Sequence, residues 1–293
     1  MQMPLTHRAE SVRIVCGHLN VVRLAERGRP LLVIHGGPDW DHSYLIPAVA
    51  PLVGWGIAPV LFDLRGCGAS MRLSDPAGYK VSSVVQDIAE LLDGLGLPTI
   101  DILGFSFGGV VAQEFLAAHP ARVGRLILAS TAYPVELPAT AAGSVAERSP
   151  ISVALRDRMQ WLFRMEPDPQ TASRALASET IALDVHQQQS LPVARQLIEA
   201  VAFSGEWMRA FRLGHMREQR QFQARHLRNR ASATLLLHGE CDARFPVAAV
   251  RAIGAEVPDA TLCLIPQAGH LTYIDAPAPW TQALLDLLTG RRY

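Results

Sequence analysis

Lysine is nearly absent: Lys80 is the only one, and the remaining positive charge is arginine, a bias that reflects genome composition more than chemistry. The 27 basic and 27 acidic residues cancel. That balance removes any global attraction to nucleic acid or to an acidic membrane surface. Cysteine is sparse too, and Cys16, Cys67, Cys241 and Cys263 form neither Cys-x-x-Cys nor a Cys/His ligand spacing. They read as reduced thiols, some buried and one or two beside a site. Long apolar runs are also missing, since no window approaches ~18 uninterrupted apolar residues and the first eight residues lack an apolar signal core. The expectation is a soluble, cytoplasmic protein with no nucleic-acid or membrane partner.

What is present is a folded chain of 293 residues, half of them apolar, long enough for one large α/β domain or two small ones. Its focal stretch is Asp101-Ile-Leu-Gly104-Phe-Ser106-Phe107-Gly108-Gly109. An Ile/Leu-rich run, Thr99 to Leu103, leads into Gly-x-Ser-x-Gly, and an apolar-periodic segment, Val110 to Ala118, follows. Strand, sharp turn and helix are expected in that order. A serine hydroxyl is a poor nucleophile near neutral pH and needs an exposed position, a neighbouring base and donors aimed at the oxyanion. Glycines two before and two after the serine relieve crowding at such a turn, and the next N–H, that of Phe107, points at the oxyanion from the helix N-terminus.

An antiparallel hairpin opens the chain, with Val12 to Val15 and Val21 to Ala25 flanking a polar turn at Gly17 to Asn20. Leu31 to Ile34 reads as a strand covered on both faces, and it ends in His35-Gly-Gly-Pro38, where Gly37 is the candidate second oxyanion donor. A helix is expected over Asp41 to Val53, a strand over Ala58 to Phe62, and a loop at Asp63 to Ser70 braced by Asp63 and Arg65. Val81 to Leu95 is an amphipathic helix and Val123 to Ala129 the next strand. This alternation predicts a mostly parallel, twisted sheet with helices on both faces. The rhythm breaks after Tyr133. Pro134 to Val145 is linker-like, and Ser152 to about Arg230 is helical with no convincing strand. Strands resume at Thr234 to Leu237 and Thr261 to Ile265, with a helix near Val247 to Glu256 between them. The expected organisation is therefore a core domain, 1–133 with 231–293, interrupted by a helical cap domain, 134–230.

A serine nucleophile needs a base and a group that orients it. Asp242 lies in the loop beyond one late strand and His270 in the loop beyond the next, both at the sheet edge that carries Ser106. Of ten histidines, only His270 occupies a Gly-His loop after a late strand; Glu240 competes with Asp242 as the orienting acid, and Asp242 fits the position better. The chain order Ser106, Asp242, His270 is the one expected of the α/β-hydrolase arrangement.

Gly-Phe-Ser106-Phe-Gly-Gly, Asp63-Leu-Arg-Gly-Cys-Gly-Ala-Ser70 and the late Asp242 and His270 resemble the α/β-hydrolase superfamily over nearly the whole chain. Within it, His35-Gly-Gly-Pro38 with Asp41-His-Ser-Tyr-Leu45 resembles the proline iminopeptidase group, serine peptidases that remove an N-terminal residue. The chain departs from that group's pattern at Asp39, Leu64 and Phe107. The resemblance implies recognition of a free α-amine by cap carboxylates, since a buried ammonium needs a paired anion. Glu206 is the first candidate and Glu218 the second. Met159, Trp161, Phe163, Met165, Phe203, Trp207, Met208 and Phe211 read as core-building cap residues, some of which are expected to line an apolar pocket, Trp207 being the one assigned to substrate.

The resulting expectation is a serine hydrolase needing no metal or organic cofactor. Its substrate is a small molecule or a short peptide or aminoacyl compound, cleaved as an iminopeptidase-like amide hydrolase. An esterase, a lactonase or a carbon–carbon bond hydrolase acting on a small apolar acyl substrate is the alternative. The seven arginines between Arg209 and Arg230, with one acid among them, read first as a solvated face, and as one that could also steer an acidic substrate or an acidic carrier protein toward the mouth. A binding protein on the same scaffold is disfavoured because no member of the triad is missing.

Overall fold

The computed structural model describes residues 8–133, 157–158, 161–162, 164–216, 218–228, 230 and 233–290. The expected linker from Pro134 to Val145, together with Met159, Phe163 and Arg217, lies outside the described residues.

Eight strands form one sheet: β1 (Arg8–Ile14), β2 (Gly17–Arg23), β3 (Arg29–Ile34), β4 (Ile57–Phe62), β5 (Ile100–Phe105), β6 (Val123–Ala129), β7 (Thr234–Gly239) and β8 (Thr261–Ile265). Their spatial order is β1-β2-β4-β3-β5-β6-β7-β8. β1 and β2 pair antiparallel, β2 pairs antiparallel with β4, and every pair from β4 to β8 is parallel. Continuous apolar runs make the central strands; every residue of β4, β5 and β7 is buried, as a parallel strand covered on both faces requires.

The helices among the described residues are α1 (Ile46–Val49), α2 (Val81–Gly94), α3 (Phe107–Ala118), α4 (Pro169–Thr180), α5 (Leu191–Ala200), α6 (Glu206–Arg212), α7 (Arg225–Arg228), α8 (Val247–Glu256), α9 (Thr272–Asp275) and α10 (Pro277–Thr289). α2 shows why they form. Val84, Val85, Ile88, Leu91 and Leu92 recur at helical spacing and are buried together, each contributing roughly 1.5–3 kcal/mol. α2, α3 and α8 pack on one face of the sheet, and α1 and α10 on the other. No described helix is long and apolar enough to cross a membrane.

Two local expectations are corrected. The hairpin turn is Val15-Cys16, and Gly17 to Asn20 belongs to β2, because the buried Leu19 and Val21 continue the alternation of a strand. Asp41 to Val53 is not one helix. Pro47 starts the four-residue α1, and Pro51, which has no N–H to donate, leads into a separate 3-10 segment from Ala50 to Trp55.

Between β6 and β7 the described residues are helical and contain no strand. Their buried side chains join the sheet's own clusters: Ala177, Ile181, Ile198 and Phe203 pack with one face, and Trp207, Ala210, Phe222 and Leu227 with the other. The insertion is thus anchored on both faces of the sheet.

Candidate active site

β5 ends at Phe105, Ser106 takes a positive φ of 54°, and α3 begins at Phe107. The crowding that demands glycine is measurable. A Cβ on Gly108 would stand 2.0 Å from the Ile34 carbonyl oxygen, and one on Gly36 would stand 2.5 Å from the Ser106 Cβ. The strained turn is held by its neighbours: Ser106 N–H donates to the Ala129 carbonyl at 3.0 Å, and Thr131 Oγ1 donates to the Ser106 carbonyl at 2.6 Å.

The structure brings the three expected side chains together. His270 Nε2 lies 3.1 Å from Ser106 Oγ, and its Nδ1 lies 2.9 Å from Asp242 Oδ2. An ionised carboxylate only accepts, so Nδ1 carries the proton and Nε2 is free to accept from the serine hydroxyl. Burial alone pushes the Asp242 carboxyl up, but the charge and hydrogen bond of His270, the His238 ring and the Phe245 N–H outweigh it and hold it below its ordinary value. Asp242 Oδ1 also accepts the main-chain N–H groups of Arg244 at 2.7 Å and Phe245 at 3.0 Å. Glu240, the competing acid, faces solvent near Arg251.

The loop after β3 lies across from the serine. Tyr44 Oη accepts the Gly36 N–H at 2.8 Å, while the His35 ring donates to the Gly36 carbonyl through Nδ1 at 2.9 Å and accepts the Leu64 N–H through Nε2 at 3.0 Å. Burial keeps His35 less basic than usual, in line with this bracing role. Among the described residues the N–H groups of Gly37 and Phe107 are committed to no acceptor, and both residues border the cavity above Ser106. Asp63 and Arg65 brace the neighbouring loop with separate partners: Asp63 with His42, and Arg65 with Asp87.

The cavity holds about 490 Å³, and its walls are mainly apolar, with Trp40, Phe105, Leu176, Trp207, Met208 and Phe211 contributing. Trp207 is there as expected, buried, with its ring edge-on to Phe107 at 5.4 Å and its indole N–H donating to the Arg65 carbonyl at 2.8 Å. Glu206 and Glu218 are elsewhere, which corrects their expected place beside a substrate amine. Glu206, the first residue of α6, borders Gly66 and Tyr79. Glu218 caps α2, accepting the Val81 N–H at 2.6 Å and the Ser82 hydroxyl.

Two residues that sequence reasoning left unassigned to the site do border the cavity. Asp39, at a positive φ of 81°, accepts from Ser173 Oγ and Ser204 Oγ at 2.9 Å and from the N–H groups of Trp207 and Met208 at 2.8 Å. Burial raises its carboxyl against the pull of those donors. Arg244 pairs with Asp184. The departure from the iminopeptidase pattern at Asp39 was the available signal for the first, and Asp-x-Arg around Asp242 for the second. None of the four cysteines lines the cavity, and among the described residues no group of three or more His, Cys, Asp or Glu is placed to hold a metal ion. In the arginine run, Arg212, Arg220 and Arg230 are tied to Leu162, Glu114 and Pro120 respectively, while Arg209, Arg225 and Arg228 are exposed.

The sequence model of the α/β hydrolase fold matches residues 29–277. The chain belongs to the α/β-hydrolase family. Among members of this family, it is 26% identical over 279 residues to a proline iminopeptidase of Levilactobacillus brevis, an alignment covering 89% of this chain and 88% of that protein. It is 29% identical over 255 residues to a 2-hydroxymuconate semialdehyde hydrolase of Pseudomonas putida, covering 85% and 83%. Against several other proline iminopeptidases, at 32–34% identity, the chain spans only 35–40% of their length. An esterase of Exiguobacterium antarcticum superposes with a TM-score of 0.74 at 20% identity, over 96% of this chain and all of that one, a likeness of fold.

Proposed function

We propose that this α/β-hydrolase is a serine hydrolase that cleaves a small, mainly apolar acyl substrate, an ester before an amide, through an acyl-enzyme. The observation that carries the reading is His270 standing within hydrogen-bond reach of both Ser106 and Asp242 at the floor of the cavity. Ser106 Oγ attacks the substrate carbonyl carbon as its proton passes to His270 Nε2. Asp242 holds the other ring N–H and stabilises the imidazolium. The Gly37 and Phe107 N–H groups receive the oxyanion, the second from the positive end of α3. When the tetrahedral adduct collapses, His270 returns the proton to the leaving oxygen. Water then attacks the acyl-enzyme by the same route, releasing the acid and restoring Ser106. The helical insertion acts as a cap domain, closing the cavity with Trp207, Met208 and Phe211.

The aminopeptidase reading needs an anion open to the cavity for the substrate ammonium. Among the described residues both candidates are committed, Asp39 to four donors and Asp184 to Arg244. The similarity to the Levilactobacillus brevis protein supports amide cleavage as the second reading. A matched panel separates them: free-amine aminoacyl arylamides beside short and medium acyl p-nitrophenyl esters, with wild type and Ser106→Ala. Ester turnover lost in Ser106→Ala supports the first. Arylamide turnover that disappears on N-acylation of the substrate would replace it with the second. A fluorophosphonate that fails to label Ser106 in folded protein would sink both.

A further inference from the structure

Arg244 stands two residues beyond Asp242, and its main-chain N–H is bonded to the carboxylate that orients His270. Arg244 is one of the residues that line the cavity. Nε donates to Asp184 Oδ1 at 2.5 Å, and Nη2 donates to Asp184 Oδ2 at 2.9 Å and to Thr180 Oγ1 at 2.5 Å. Asp184 is almost fully buried, so the pair fixes the plane of the guanidinium. Nη1, by contrast, donates to no acceptor among the described residues, and it is not one of the buried, partnerless polar atoms. That edge belongs to a side chain one quarter exposed, on a residue that lines the cavity.

The hydroxyls of Ser173 and Thr180 and the Asp39 carboxylate, which border the same space, are occupied. Ser173 donates to Asp39, Thr180 donates to the Leu176 carbonyl while accepting from Arg244, and Asp39 is filled by its four donors. Apart from the reacting groups, the Nη1 edge is the uncommitted charged donor of an otherwise apolar cavity. A guanidinium edge held flat by a carboxylate on its other side is preorganised for one more acceptor, and a planar carboxylate matches its geometry and charge.

We propose that Arg244 is a specificity-determining residue, its Nη1 edge binding a carboxylate at the far end of a substrate whose ester or acyl carbonyl sits over Ser106. The substrate class is then a small acid with an apolar body, such as the half-ester of a dicarboxylic acid. This rests on the reading of Ser106 as the nucleophile of a hydrolase, and the test is built so that the two fail separately.

Ser106→Ala protein is titrated by calorimetry with monomethyl adipate and with dimethyl adipate, which differ only in the terminal carboxylate. The half-ester is expected to bind about ten- to a hundredfold more tightly than the diester, the range of one charge-assisted contact. Adding Arg244→Gln abolishes that preference. Adding Asp184→Asn preserves or strengthens it, because the guanidinium loses its competing anion and keeps its open edge. Since Arg244→Gln strips Asp184 of its partner, the double change Arg244→Gln/Asp184→Asn serves as the folded control, and it also lacks the preference. Equal affinities in the Ser106→Ala protein, no binding of the half-ester, or loss of the preference in Arg244→Gln and Asp184→Asn alike would overturn the proposal, the last by making the pair purely structural. A half-ester that binds with the expected preference but is not hydrolysed by wild type leaves Arg244 its role and removes the hydrolase reading instead.

Discussion

Asp39 Oδ1 accepts the main-chain N–H of Trp207 at 2.8 Å, so a carboxylate from the loop after β3 caps a helix that begins 167 residues later in the chain, at Glu206. Met208 N–H and the hydroxyls of Ser173 and Ser204 complete its shell. Gly37 is two residues away on the same loop, so α6 and the proposed oxyanion donor share one anchor.

Replacing that anchor affects both stability and catalysis. Asp39→Ala leaves two helix N–H groups and two serine hydroxyls without their acceptor, at a cost of roughly 2–4 kcal/mol. Urea unfolding measures that loss. In the folded fraction kcat on a p-nitrophenyl ester falls more than KM rises, because the displaced loop carries the Gly37 N–H. Stability lost with kcat intact would separate the cap anchor from the oxyanion loop.

Glu218 and Glu206 are expected to behave differently from substrate-binding acids. Glu218→Gln removes the charged cap of α2, whose first N–H it accepts at 2.6 Å, and lowers stability by about 1 kcal/mol. Glu206→Gln, at a residue outside the cavity lining, changes stability little. Neither alters kcat/KM on free-amine arylamides or on esters. A large KM increase confined to the arylamides in either variant would restore that glutamate as an amine ligand.

Gly36→Ala tests how tightly the serine turn is packed. The new methyl would meet the Ser106 Cβ at 2.5 Å and the Phe105 carbonyl oxygen at 2.8 Å, both parts of the turn itself. Since a shift of about 1 Å at a reacting atom costs on the order of 10²-fold in rate, fluorophosphonate labelling should slow by that order while the far-ultraviolet circular dichroism stays native. Unchanged labelling would mean that the turn has slack.

The parallel strands were legible because strands buried on both faces read as unbroken apolar runs; β6, β8 and α8 fall on the bounds expected for them. Ser106, Asp242 and His270 were legible because each follows a strand end, a position that sequence spacing marks directly. Glu218 was misread because the helix it caps begins 137 positions earlier, and no local pattern separates a remote cap from a ligand. Asp39 and Arg244 escaped for the same reason. Their partners lie 134–169 and 60–64 residues away, and only the folded cavity reveals which donors and acceptors are already taken. The expected helix over 41–53 is divided because Pro47 and Pro51 each stand at the start of a separate short segment.

Asp63 provides the pH test. Its carboxylate is nearly fully buried, accepts from Asn20, His42 and Ala69, and lies 2.7 Å from His42 Nδ1. Burial pushes its pKa up, but the His42 hydrogen bond and charge, helped by His35 and the Ala69 N–H, bring it from 3.8 down to about 2. A depressed carboxyl contributes stability that is present above its ordinary pKa and lost as pH falls through the folded value, here between 3.8 and about 2. The shift corresponds to about 2 kcal/mol. Burial lowers the His42 pKa, but the hydrogen bond and charge of Asp63 more than offset it, so the ring titrates above its ordinary 6.5. That contribution is full below 6.5 and fades as pH rises through the folded value. The stability difference between wild type and Asp63→Asn should therefore peak between roughly pH 4 and 6.5 and shrink on both sides. Urea unfolding of the two proteins across that range measures it, and a difference that stays flat from acid to alkaline pH would show that the loop is held by neutral hydrogen bonds alone.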